Sequence, residues 1–122
     1  MRKPRILYVD DEQVNLMLFQ AHFKAKFDVL TAASGEEGLK IMSEEKDIDV
    51  VFSDMKMPHM NGIEFIHQAS KIAPDSNYHI ISAFDLNPEI REALDQGLIC
   101  NYFGKPFRIA DIESAVNTAC AD

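Results

Sequence analysis

Short apolar runs alternate with amphipathic stretches along the whole chain. The runs cover residues 5–9, 27–32, 48–53, 78–83 and 99–103. Three of them are nearly continuous in β-branched, aliphatic or aromatic residues: Ile6-Leu7-Tyr8-Val9, Val50-Val51-Phe52 and Tyr78-His79-Ile80-Ile81. Continuous runs suit strands buried on both faces of a parallel sheet, whereas alternating ones suit a sheet with one wet face. The run at 27–32 carries Asp28 and Thr31 and reads as an edge strand.

The segments between the runs carry helix start and stop signals. Residues 12–24 follow Asp10-Asp11 and place Val14, Met17, Leu18 and Ala21 on one expected buried face. Ser34-Gly35-Glu36-Glu37 fits a capping box, with Ser34 as N-cap and Glu37 three residues on. Asn61-Gly62-Ile63-Glu64 follows the same logic, and Ile63, Ile66 and Ala69 recur at helical spacing. Asn87-Pro88 is an N-cap followed by proline at the first helical position, and Gly97 supplies a stop. Pro106 is expected to open the last helix, with Ile109, Ile112, Val116 and Ala119 facing one way. The pattern is a strand–helix unit repeated five times. It predicts an α/β fold, a doubly wound five-stranded parallel sheet with helices on both faces, in one domain spanning residues 1–122.

Composition narrows the function. The chain has 122 residues, 47% of them hydrophobic, enough for one core. Twelve Lys and Arg stand against 20 Asp and Glu, for a formal charge of −8. Such an acidic chain repels nucleic-acid phosphates, so no nucleic-acid partner is expected. The basic cluster Arg2, Lys3 and Arg5 reads as a solvated end. No apolar run approaches the roughly 18 residues of a membrane span. The start shows no signal-peptide core, so a cytoplasmic location is expected, and Cys100 and Cys120 are expected to be reduced thiols. His22, His59, His67 and His79 show no metal-ligand spacing, and His59 reads as an exposed loop residue.

The polar residues fall in one place. Open parallel sheets bind ligands beyond the C-terminal ends of their strands. Asp10 and Asp11 follow the first strand, Asp54 follows the third, Ser82 ends the fourth and Lys105 follows the fifth; the second offers only Thr31, with Ser34 close behind. Three carboxylates brought together repel one another, and a hard divalent cation such as Mg²⁺ resolves that repulsion. Lys105 can pair with a carboxylate or a phosphoryl group, Ser82 can donate to a phosphoryl oxygen, and an aspartate can act as nucleophile. A metal and a lysine flanking a carboxylate suit phosphoryl transfer to that carboxylate.

On these residues the chain resembles the receiver domain of the bacterial two-component response regulators. The matching segments are Ile6-Leu7-Tyr8-Val9-Asp10-Asp11-Glu12, Val50-Val51-Phe52-Ser53-Asp54-Met55-Lys56-Met57-Pro58, Asn61-Gly62, Ile80-Ile81-Ser82-Ala83 and Lys105-Pro106-Phe107. The flavodoxin-like strand order 2-1-3-4-5 is taken over from known sheets of this kind. The resemblance implies that Asp54 accepts a phosphoryl group from a sensor histidine kinase or a histidine phosphotransfer protein. It implies Mg²⁺ on Asp11, Asp54 and the main-chain carbonyl of Lys56, with Asp10 acting largely through water. Ser82 and Tyr102 take the switch positions, Lys105 pairs with the phosphoryl group, and the Lys105–Pro106 peptide is cis. The implied output surface is the fourth helix, fifth strand and fifth helix, near residues 88–96, 101–103 and 107–119. It would meet a downstream protein target, and the family also allows a homodimer there.

Other expectations follow from the same comparison. Leu98-Ile99-Cys100-Asn101 departs from the family pattern on the output surface. A bulky Phe84, two residues after Ser82, is expected to hinder attack by water and prolong the phosphorylated state. The chain is expected to be no enzyme beyond its own phosphorylation and dephosphorylation. A phosphatase of the haloacid-dehalogenase type needs a second acid where Lys56 stands. The remaining alternative is a receiver-like interaction module that works without phosphorylation, whose usual sign, loss of an acid or the lysine, is absent here.

Overall fold

The computed structural model describes residues 3–83 and 87–119. Arg2, Phe84 and Cys120, and the expectations attached to them, lie outside the described residues. Ten elements alternate: β1 (Arg5–Val9), α1 (Gln13–Phe23), β2 (Asp28–Ala32), α2 (Gly35–Glu44), β3 (Val50–Asp54), α3 (Gly62–Ile72), β4 (Asn77–Ser82), α4 (Pro88–Asp95), β5 (Asn101–Gly104) and α5 (Ile109–Ala119). The strands are all parallel and ordered β2-β1-β3-β4-β5, as expected, with β2 at an edge. The switch point lies between β1 and β3, so the chain leaves both strands on the same rim.

Strand alternation divides the core into two. Leu7 and Val9 of β1, Val51 of β3 and Tyr78 and Ile80 of β4 face α2, α3 and α4. Ile6 and Tyr8, Val50 and Phe52, and Ile81 face α1 and α5. Burial on both faces explains why these strands read as unbroken apolar runs.

The helix ends follow the local chemistry, with adjustments. Asn61 and Glu64 form the full reciprocal capping box. Ser34 accepts from the Glu37 N–H, but the Glu37 carboxylate reaches back to the Ala33 N–H, one residue before the cap. Asn87 caps α4. Gly97, at φ 75°, ends it, with its N–H donating to Leu94 O and the Leu98 N–H to Ala93 O. Lys105–Pro106 is cis. The last helix starts at Ile109 and not at Pro106: its first turn closes on the Arg108 carbonyl, which accepts from the N–H groups of Asp111 and Ile112. Ile112 and Val116 are buried there, whereas Ile109 is 40% exposed.

The expected face of α1 is corrected. Val14, Met17, Leu18 and Ala21 are exposed, and Leu16, Phe19 and Phe23 are buried. Apolar residues lie on nearly every side of this helix, so periodicity alone selects no face. The aromatic rings decide, because each buries more apolar area and finds ring partners. Phe19 stacks on Tyr8 at 4.3 Å and meets Phe23 at 4.7 Å and Phe52 at 5.9 Å.

Candidate functional site

β1 and β3 end side by side, so Asp10, Asp11 and Asp54 converge at the C-terminal rim. One oxygen from each lies within 4.8 Å of the others, and no other such group of potential metal ligands occurs among the described residues. Lys105 enters from beyond β5, its backbone N–H donating to Ser82 O at 2.9 Å. Its ammonium group donates to Asp10 Oδ2 at 2.9 Å and stands 3.3 Å from Asp54 Oδ2.

The three acids have unequal surroundings. Asp10 is fully buried and saturated with donors. Its Oδ2 accepts from the Tyr8 hydroxyl at 2.6 Å, Lys105 at 2.9 Å and the Asn15 amide at 3.1 Å. Its Oδ1 accepts from the Glu12 N–H at 2.9 Å, which draws the chain into α1. Asp11 is exposed. Asp54 is 7% exposed, and burial raises its pKa against the opposing pull of Lys105, with the Asp10 charge adding to the rise. Burial works to lower the Lys105 pKa, but its hydrogen bond to Asp10 and the charges of Asp54 and Asp10 outweigh it and leave it raised. Burial, then the bond to Asp10, push the Tyr8 hydroxyl above its ordinary range, so it remains a donor at working pH.

The loop after β3 is held tightly. The Gly62 N–H donates to Met55 O at 2.8 Å. A Cβ at Gly62 would collide with the main-chain oxygen of Asp54, so only glycine admits this approach. The Asn61 cap then anchors the loop to α3. Lys56 is exposed and follows Asp54 by two residues. Ser82 is buried at the end of β4, and Tyr102 lies half-buried against the α2–α3–α4 side of the core. Thr31 and Ser34 stay outside the acidic group, and Ser34 serves α2 as its cap.

Three carboxylates and one ammonium leave a net negative rim whose hard oxygen donors fit a small divalent cation. The same rim can present a carboxylate oxygen to an electrophile beside a positive charge. Three contributors had been given no role in the site from sequence: Tyr8 and Gly62, which stand in the matching segments, and Asn15. Tyr8 had a readable signal, since residues i and i+2 of a strand share a face and Asp10 follows at that spacing. Of the histidines, His59 is an exposed residue at φ 69°, whereas His79 is buried away from the rim, stacked on Phe52. Cys100 is a free, exposed thiol. No helix among the described residues is long and apolar enough to cross a membrane.

Comparison with known proteins agrees with this geometry. The family model described as "Response regulator receiver domain" matches residues 6–117. Sporulation initiation phosphotransferase F of Bacillus subtilis (strain 168) is 32% identical over 117 residues, covering 95% of this chain and 93% of that protein. Chemotaxis protein CheY of Thermotoga maritima is 33% identical over 115 residues, covering 93% of this chain and 94% of that protein. The crystal structure of a response regulator receiver domain protein from Clostridium thermocellum superposes with a TM-score of 0.90 at 32% identity, covering 97% of this chain and 94% of that one. The chain therefore belongs to the response regulator receiver domain family of two-component signalling.

Proposed function

We propose that the protein is a phosphorylation-controlled switch in which Asp54 accepts a phosphoryl group from a sensor histidine kinase or a histidine phosphotransfer protein. The observation that carries this reading is the placement of Lys105 between Asp10 and Asp54, 2.9 and 3.3 Å from the two carboxylates. An Asp54 oxygen forms the bond to phosphorus while the donor's P–N bond breaks. The electron pair of that bond stays on the donor imidazole, which takes up a proton. Asp11, Asp54 and the Lys56 carbonyl would hold Mg²⁺, which when bound supplies charge neutralisation for the phosphoryl oxygens. Asp10, with both oxygens already accepting hydrogen bonds, fits an indirect role through water. Lys105 and the Ser82 hydroxyl then engage phosphoryl oxygens.

The donor's docking place is the exposed apolar side of α1. Val14, Met17 and Leu18 are 64, 63 and 52% exposed, and α1 starts two residues after Asp11. Such a side suits the helix of a histidine-bearing partner. Output runs through α4, β5 and α5, with Tyr102 reporting the phosphorylated state by a population shift between two conformations. A downstream protein target, or a second copy of the chain, would read that surface. The whole chain acts as one receiver domain, and its chemistry is confined to gain and loss of its own phosphoryl group.

Incubation with acetyl phosphate or phosphoramidate, with and without Mg²⁺, followed by intact mass spectrometry tests this. The expected result is one phosphoryl adduct that needs Mg²⁺ and is missing from Asp54→Asn. A blank with these donors and with a histidine kinase would overturn the proposal.

A further inference from the structure

We infer that Tyr8 and Asn15 are positioning residues that hold Asp10 Oδ2 in place of Lys105, so that Lys105 can leave Asp10 for a phosphoryl group on Asp54. The inference rests on Asp54 being the acceptor. Asp10 Oδ2 is crowded: three donors reach it, from Tyr8 at 2.6 Å, Lys105 at 2.9 Å and Asn15 at 3.1 Å. A carboxylate offers about four lone-pair sites over its two oxygens, about two for each. One donor is therefore in excess, and one can depart without leaving the oxygen short.

The structure shows which donor is free to go. The Tyr8 ring is 1% exposed and stacked on Phe19 at 4.3 Å, so its hydroxyl cannot withdraw without opening the core. Asn15 sits in the first turn of α1, half-buried. Lys105 ends a long flexible stem, its side chain is 19% exposed, and it already stands 3.3 Å from Asp54. Without the other two donors its departure would strip a fully buried carboxylate of its partner on that oxygen, which is costly. With them, Asp10 keeps two donors on Oδ2 and the Glu12 N–H on Oδ1. The hand-over then leaves both sites of Oδ2 met and neither Asp10 oxygen without a donor.

Beryllofluoride, a tetrahedral phosphoryl mimic, tests the step when titrated in the presence of Mg²⁺, with Mg²⁺ alone titrated separately. The unsubstituted protein, Tyr8→Phe, Asn15→Ala and the double variant are compared, each with Lys105 present and in a Lys105→Met background. Tyr8→Phe should weaken beryllofluoride binding about tenfold, the order of one hydrogen bond to a charged group. The double variant should lose more, and affinity for Mg²⁺ alone should hold or rise because Asp10 becomes less shielded. In the Lys105→Met background the effect should vanish, since no cation remains to be released. Three results would each overturn the inference: unchanged beryllofluoride affinity, an equal loss without Lys105, or a parallel loss of Mg²⁺ affinity, which would mark a merely structural role. If Tyr8→Phe fails to fold, Asn15→Ala at the edge of α1 carries the same test. A wild type that binds no beryllofluoride overturns the acceptor reading itself, whereas a binding wild type with unaffected variants overturns this inference alone.

Discussion

His79 is 2% exposed, stacked on Phe52 at 4.9 Å and 5.7 Å from Phe103, and neither ring nitrogen has a hydrogen-bond partner among the described residues. Burial pushes its pKa down to about 4. In the unfolded chain it titrates near 6.5, so between those values the unfolded state binds more protons. Its contribution is therefore full above pH 6.5, falls as pH drops, and levels off below about 4. Two to three pKa units correspond to about 3 kcal/mol. Urea titrations at pH 7, 5.5 and 4 should show this loss in the wild type and a shallower one in His79→Phe. That variant should also match or exceed the wild type at pH 7, because it removes two unmet polar atoms while keeping the ring. Equal pH slopes in both proteins would refute this account of His79. Gly62 makes a second prediction at this scale. Gly62→Ala places a methyl group against the Asp54 carbonyl and the Ile80 side chain, with a cost of about 1–3 kcal/mol. Its phosphoryl uptake from acetyl phosphate should slow even where urea titration shows the protein fully folded, because the displaced atom is main chain of Asp54, the proposed acceptor.

Among the elements, α1 separates stability from recognition. Phe19→Ala should cost about 3–5 kcal/mol, since it empties the centre of the ring cluster formed with Tyr8, Phe23 and Phe52. Met17→Glu and Leu18→Glu should change stability by no more than about 0.5 kcal/mol, because both side chains are exposed. The same two changes should slow transfer from a histidine kinase and leave labelling by acetyl phosphate unchanged. Slowing with both donors would place the defect in the acceptor site and not in docking. This helix also shows where sequence reading runs out. The rim acids, Ser82 and Lys105 were legible because strand ends can be located from apolar runs, and topology then gathers them. The α3 and α4 boundaries were legible because Asn61 and Asn87 are short side chains acting on their own backbone. The buried face of α1 was not legible, because choosing between Met17 and Phe19 depends on rings contributed by β1 and β3. The start of α5 was misplaced for a related reason: proline favours a first helical turn, yet here the turn closes on Arg108. One of the three donors on Asp10 Oδ2 is Lys105, 95 residues away, so the crowding of that oxygen could be seen only in the folded protein.

At the scale of the whole molecule, the rim joins distant parts of the chain, so what binds there bears on the entire fold. Asp10 and Asp11 leave β1, Asp54 ends β3, and these oxygens come within 4.8 Å only when the sheet is assembled. An unfolded chain disperses them and holds no such group. A cation that binds the folded rim must therefore stabilise the domain by mass action, by about 2.7 kcal/mol at one hundred times its dissociation constant. Calorimetric melting should show a higher transition temperature with Mg²⁺, reversed by EDTA, while Na⁺ at matched ionic strength gives a smaller effect. Asp11→Asn makes the test specific. Asp11 is exposed, so its replacement should leave the core intact. It also removes one of three mutually repelling carboxylates, so without Mg²⁺ the variant should melt at or above the wild-type temperature. With Mg²⁺ its gain should be largely lost, because a hard cation needs that charge. The two proteins would then exchange order between EDTA and Mg²⁺. A Mg²⁺-induced rise of wild-type size in Asp11→Asn would place the cation somewhere other than the rim.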